Sequence, residues 1–217
     1  MTSSPAKPEQ EKKFVERRST SKRIVTVCGE KLIALQNVYD TSTDTELMVD
    51  VVSIDSDQTF VEIGCGTGAV SLLVGKRAKS GIGVDINPAA VRNAKLNKKR
   101  LNIKNVKFMP SDVFDDVNGT FDVAICNPPY SAYDPADEVE MMFWDSKNSM
   151  KQKFFNQVQD HLKPGGDVYF GWADFEDIDQ QLPKKLAKKA GLVFIKKYSR
   201  KNTKENRTFF VYKFKAT

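Results

Sequence analysis

Apolar residues fall in short runs, broken by polar stretches and by glycine and proline. Their spacing switches between strand-like and helix-like along the chain. Runs at 59–63, 81–84, 106–109, 121–126 and 167–172 have strand length and are rich in Val, Ile and Phe. Segments 69–78, 88–100, 148–162 and 180–190 read as helices between them. Pro88 suits a first helical turn, Lys163-Pro164-Gly165-Gly166 closes the third of these helices, and Gly191 caps the fourth. Upstream, 44–52 reads as another helix, with Leu47, Met48, Val51 and Val52 on one face and Asp44 or Thr43 as N-cap. Residues 24–27 read as a short strand turned at Gly29, and 31–38 show no clear period. Strands alternating with helices predict an α/β fold with a mostly parallel sheet covered on both faces. The last two runs, 192–197 and 208–214, have only a polar loop between them, so they are expected to pair antiparallel.

Residues 1–23 carry few large apolar side chains and many charges, and read as a flexible polar and basic tail. Residues 24–217 then make one domain, within the size of a single core. No apolar run reaches the roughly 20 residues that span a bilayer, and the tail lacks a signal-peptide core. Cys28, Cys65 and Cys126 have no metal-ligand spacing, so reduced thiols in the cytoplasm are expected, with no metal site. His161 is the only histidine, which argues against a histidine base. The net charge is +6 and the pI about 9.1. Residues 92–107 hold seven basic side chains and no acidic one, and a second basic cluster runs through 184–207. Acidic residues gather at 134–145 and 174–179. The clusters are either solvated faces or a nucleic-acid surface.

Candidate chemistry sits at the ends of the predicted strands. Val123 and Ile125 belong to a buried run that stops at Asn127-Pro128-Pro129-Tyr130. Neither proline can donate to a ladder, and Pro129 forces Pro128 into an extended conformation. The Asn127 side-chain oxygen and the Pro128 carbonyl then become stiffly held acceptors, suited to a planar –NH2 group, with the Tyr130 ring as a flat neighbour. Gly64-Cys65-Gly66-Thr67-Gly68 follows the 59–63 strand and opens a helix, so backbone there can approach a ligand closely. Gly64, Gly66 and Ala69 satisfy G-x-G-x-x-G/A, and Asp85 ends the next strand where a ribose-binding acid is expected. That loop alone does not separate nicotinamide from S-adenosylmethionine. Three features favour the latter. Glu62, just before the loop, is placed to anchor an ammonium group. Asp112 ends the third strand, where a carboxylate can accept from an adenine amino group. No second domain is expected that would hold a hydride donor's substrate.

In Val61-Glu62-Ile63-Gly64-Cys65-Gly66-Thr67-Gly68, Gly83-Val84-Asp85-Ile86, Ser111-Asp112 and Asn127-Pro128-Pro129-Tyr130 the chain resembles the class I S-adenosyl-L-methionine-dependent methyltransferases. The resemblance implies a Rossmann-like, doubly wound sheet of seven strands with an antiparallel last strand. It implies that Asp85 and Ile86 meet the ribose, Asp112 and Val113 the adenine, and Glu62, Gly64, Cys65, Gly66 and Gly68 the methionine end. Its Asn-Pro-Pro-Tyr motif marks transfer to a nitrogen conjugated to a π system, with Asn127, Pro128, Pro129 and Tyr130 as the catalytic set. The segment Val38-Tyr39-Asp40-Thr41-Ser42-Thr43-Asp44-Thr45-Glu46-Leu47 is similar to the segment of the HemK/PrmC-type glutamine N5-methyltransferases that closes over cofactor and substrate. This adds Thr45 to the cofactor residues, among which Asn127 is also counted, and makes a release-factor-like protein the expected substrate. In size the chain is nearer the compact forms of that family, which use a small zinc-binding activator subunit. Residues 131–147, acidic and aromatic, are expected to form a lid. Two other readings stay open: an RNA or DNA adenine N6-methyltransferase using the basic clusters as a phosphate track, and a non-catalytic nucleic-acid-binding or scaffold protein on the same fold.

Overall fold

A computed structural model describes residues 12, 15, 16, 22–137 and 139–217. β1 (Arg23–Val27) and β2 (Glu30–Ala34) form an antiparallel hairpin. Then come α1 (Thr43–Val51), β3 (Thr59–Ile63), α2 (Ala69–Gly75), β4 (Ser80–Asp85), α3 (Pro88–Arg100), β5 (Val106–Pro110) and β6 (Phe121–Cys126). The chain ends with α4 (Ser149–Gln157), β7 (Leu162–Ala173), α5 (Leu182–Lys189), β8 (Val193–Asn202) and β9 (Arg207–Lys215). β3 to β9 build one seven-stranded sheet in the order β5-β4-β3-β6-β7-β9-β8. β3 to β7 run parallel, while β9 is antiparallel to both of its neighbours. This is the predicted Rossmann-like arrangement.

The parallel strands are continuous apolar runs because helices cover both faces. In β6, Val123, Ala124, Ile125 and Cys126 are all buried. The hairpin is tied on by two buried asparagines of α3. Asn93 Oδ1 accepts from Leu35 N (2.6 Å) and Asn97 Oδ1 from Ile33 N (2.9 Å). Asn97 Nδ2 also donates to the Thr67 carbonyl (2.9 Å), so the same helix anchors the glycine loop.

Several expected boundaries move. The region 31–38 contains β2, whose period was hidden by short length. α2 ends at Gly75 because the chain turns there, and Lys79 N donates to the Gln58 carbonyl at the foot of β3 (2.8 Å). α4 ends at Gln157 and tightens into a 3-10 turn over Val158–His161, so that Leu162 can pair with Phe121. The N-cap of α1 is Ser42, because Asp44 turns inward to other partners described below. The two basic clusters sit at opposite sheet edges, one on α3 and β5, the other on α5, β8 and the hairpin after it. Six strand spacings, roughly 29 Å, separate the edge strands. Of the segment expected as a tail, Val15 is buried against Tyr133, Phe143 and Trp144, and Arg23 starts β1 and pairs with Asp40 (3.1 Å). Among the described residues no helix is long and apolar enough to cross a membrane, and no group of three His, Cys, Asp or Glu could hold a metal ion.

Candidate active site

The strand order reverses between β3 and β6, and a crevice forms outside their carboxyl ends. It is a cavity of about 870 Å³, reached also by the ends of β4 and β5. The glycine loop forms one wall. Gly64, Gly66 and Gly68 have φ of +76°, +50° and +80°, values that favour glycine. Gly64 N and Cys65 N both donate to the Val84 carbonyl (2.9 Å each). Gly66 N donates to Asp85 Oδ2 and Asn87 N to Asp85 Oδ1 (2.9 Å each), so Asp85 stitches the loop to the next helix. Burial raises the Asp85 pKa, and these two amide donors oppose the rise. Gly68 departs from expectation: it does not line the cavity. A Cβ there would stand 2.9 Å from the Ala94 Cβ, so this glycine lets α2 start against α3.

Glu62 is fully buried, and its Oε2 accepts from Ser71 N (2.8 Å) and from the Ser71 hydroxyl. Ser71 reaches it over Gly83, where a Cβ would lie 2.7 Å from Ser71 Oγ. Burial pushes the Glu62 pKa up to about 8 against the pull of Ser71, so the acid holds its proton at neutral pH. Asp112 is half-exposed and paired with Lys153 Nζ (2.6 Å), which also holds Asp115 (2.6 Å). Val113 has φ +57°, rare for a β-branched residue. The Ser111 hydroxyl holds that turn by donating to the Val113 carbonyl (3.0 Å). Ile86 offers an exposed apolar side chain to the same wall. Burial pushes up the Cys65 and Cys126 thiols, which stay protonated.

Across the cavity stand Asn127, Pro128, Pro129 and Tyr130, at the carboxyl end of β6. Asn127 is held on three sides. Its Nδ2 donates to Asp44 Oδ2 (2.9 Å), and its Oδ1 lies 2.7 Å from the Tyr130 hydroxyl. Its oxygen also rests over Gly171 of β7, where a Cβ would come within 2.1 Å. The Tyr130 hydroxyl reaches Asp44 Oδ2 as well (3.0 Å), and the Tyr130 ring packs edge-on against Trp172 and Phe175. Tyr130 is thus a buried strut more than an open stacking face. Burial and the Asp44 charge keep its hydroxyl protonated.

Thr45, Tyr39 and Asp44 from the α1 region close the cavity from above. Residues 131–137 and 139–147 form the outer rim. They are pinned by a Ser131–Trp144 bridge and by Asp145, which accepts from Met150 N (2.9 Å) at the start of α4 and pairs with buried Lys151 (3.0 Å). Met141, Met142, Phe143 and Trp144 face the cavity from this rim, and Phe175, Arg207 and Phe209 face it from the other side. The expected site residues, Gly68 apart, therefore line one space. Asp44, Gly171 and Lys153 were not singled out in the sequence as site residues. Asp44 read as a helix start, Gly171 as a strand residue and Lys153 as one charge among many.

A family model for the methyltransferase small domain matches residues 30–199. The chain belongs to this family. It is an S-adenosylmethionine-dependent methyltransferase, and the described residues fit that cofactor. Two glycines open toward the cavity with little or nothing within 4 Å of a built Cβ, and carboxylates end β4 and follow β5. Beside them lies Glu62, a buried acid whose pKa burial raises to about 8. The methyltransferase is 36% identical over 152 residues to a Methanocaldococcus jannaschii protein that carries the provisional name of a protein N5-glutamine methyltransferase, covering 67% of this chain and 77% of that one. It is 33% identical over 128 residues to the release factor glutamine methyltransferase of Buchnera aphidicola, covering 54% and 46%. The chain thus spans about half the length of that bacterial relative. Among solved structures it superposes on Pyrococcus abyssi Trm5b with a TM-score of 0.65 at 18% identity, over 90% of this chain and 56% of that one. It superposes on the ribosomal protein L11 methylase of Lactobacillus delbrueckii with a TM-score of 0.59 at 19% identity, over 81% and 80%. These two likenesses concern the fold.

Proposed function

We propose that this methyltransferase modifies the side-chain amide nitrogen of a glutamine in a protein. The observation that carries the reading is that Asn127 and Pro128 open onto the same cavity as the glycine loop and Asp85. When bound, the cofactor supplies an electrophilic methyl group on sulfur. Asp85 and Ile86 hold its ribose. Gly64, Cys65, Gly66 and Glu62 hold the methionine end, and Thr45 covers it. Asp112 and Val113 would take the adenine.

An amide nitrogen is a poor nucleophile because its lone pair is delocalised. Asn127 Oδ1, through the lone pair not used by Tyr130, and the Pro128 carbonyl accept its two N–H hydrogens. They draw the nitrogen out of conjugation and aim its lone pair into the cavity, which is positioning plus electrostatic stabilisation. Transfer would form the N–C bond as the methyl–sulfur bond breaks and a neutral thioether is left, and the alkylated nitrogen would then lose one N–H proton to solvent. No strong base is needed, which suits a chain with one histidine, located away from the cavity.

Glutamine is favoured over a nucleobase by the rim. Asp134, Asp137 and Glu140 place negative charge in the insertion, which repels a phosphate backbone. The basic clusters lie at opposite sheet edges and do not make one track. The names of the two relatives support glutamine as the acceptor, and that of the Buchnera relative a release factor as its carrier. The test is to give the purified chain tritiated cofactor with a release factor and, separately, with total RNA from the same cells. Label is expected in protein, absent with Asn127→Ala. Label in RNA alone would replace glutamine by an adenine amino group.

A further inference from the structure

We propose that Asp44 is a positioning residue for Asn127, so that α1 completes the catalytic site rather than merely covering it. The inference rests on the assignment of Asn127 to the acceptor nitrogen. Asp44 lies 83 residues from Asn127 in sequence, yet their side chains meet at 2.9 Å. It is only 4% exposed, and both of its oxygens are engaged. Oδ1 accepts from Thr45 N (2.8 Å), in the first turn of α1, where the helix dipole favours a negative charge. Oδ2 faces Asn127 Nδ2 and the Tyr130 hydroxyl (3.0 Å).

The chemistry of the pair decides which way Asn127 faces. A side-chain amide has two ends of nearly equal size, one a donor and one an acceptor. A carboxylate is acceptor-only, so the amide must turn its –NH2 toward Asp44. The carbonyl end is then left for the acceptor nitrogen's hydrogens, with one lone pair steadied by Tyr130. If position 44 could also donate, the amide could reverse and offer N–H to a group that itself carries only N–H. Asp44 thus selects the one amide orientation that can receive a planar –NH2 group. It does so from a helix that must be docked for the contact to exist.

The test compares Asp44→Asn, which keeps shape and adds a donor, with Asp44→Glu and wild type. Side-chain amide resonances of Asn127, assigned by their loss in Asn127→Ala, are recorded on the full chain without ligand. Wild type is expected to show –NH2 signals displaced by the carboxylate and slow to exchange with water, and Asp44→Asn is expected to lose both features. Affinity for S-adenosylhomocysteine by calorimetry is expected to stay within about twofold of wild type in Asp44→Asn, since Asp44 faces the acceptor side. Turnover of a glutamine peptide should fall roughly 100-fold, with KM changed little, as for a small misplacement of a catalytic group. Asp44→Glu should recover part of it. Unchanged Asn127 signals in Asp44→Asn, or turnover near wild type, would overturn the proposal. If wild type shows the displaced signals but transfers nothing to the peptide, the orientation by Asp44 stands and glutamine as the acceptor falls.

Discussion

The two walls of the cavity are built in different ways. The wall expected to hold cofactor is made from contiguous stretches, each a strand end and the turn after it: 62–67, 85–87 and 111–113. Its polar contacts are largely backbone amides donating to nearby carboxylates, as at Gly66 and Asn87 on Asp85. The wall proposed to face the acceptor gathers Asp44, Asn127, Tyr130 and Gly171 from a helix, the turn after β6 and β7, and works through side chains. The difference teaches that affinity for a common cofactor can be stored in local backbone geometry. Orientation of a particular acceptor has to be assembled across the fold.

That contrast predicts which losses separate. The largest effect is expected for Asn127→Ala: turnover down by about 10²–10³-fold, the range for losing a preorganised polar group in the transition state, with cofactor affinity within about twofold. Rapid-quench turnover alongside calorimetry checks it, and a large affinity loss would merge the two walls into one. Next comes Gly171→Ala, a single methyl placed 2.1 Å from Asn127 Oδ1. The side chain must shift, so turnover should fall roughly 100-fold while cofactor binding holds. Asp85→Ala should do the reverse, weakening cofactor affinity by about 10–100-fold through loss of hydrogen bonds to a charged group. Turnover at saturating cofactor would then be largely restored. If saturation does not restore it, Asp85 also serves the acceptor.

The smallest effect concerns Glu62. Its carboxyl keeps its proton up to about pH 8 in the folded chain, against a usual value of 4.5. Folded protein therefore binds more protons than unfolded protein between those values. The contribution to stability is full below the lower value and is lost as pH rises through the upper one. Glu62→Gln should remove that loss. Thermal melts should coincide near pH 5, and the variant should melt higher than wild type near pH 9. Equal melting at both pH values would mean that Glu62 is already ionised and partnered.

Much of the fold was legible because its signals are local. β3, β6 and α3 were located from apolar runs and from Pro88 at a first turn, and the antiparallel ending followed from a polar connection too short for a crossover. Elements were misplaced where a distant partner set the boundary. α2 stopped early so that Lys79 could reach Gln58, and α4 tightened so that Leu162 could pair with Phe121. Gly68 was read as a cofactor residue because it belongs to the glycine loop that the resemblance gives to the methionine end. Only its packing on Ala94 shows that it serves the joint between α2 and α3.

Along the chain alone, periodicity and turn chemistry determined the α/β sheet, the glycine loop and its carboxylates, and the stiff end of β6. Those features arise from sterics and hydrogen bonds within a few residues. Tertiary structure decided what Asp44 does, which way Asn127 faces and why position 171 carries no side chain. Each depends on a distance between atoms far apart in sequence, and such distances exist only once the helices have packed on the sheet. Asp44 illustrates the point: its sequence neighbours mark it as a helix start, and the fold sets its carboxylate against the acceptor side of the cavity.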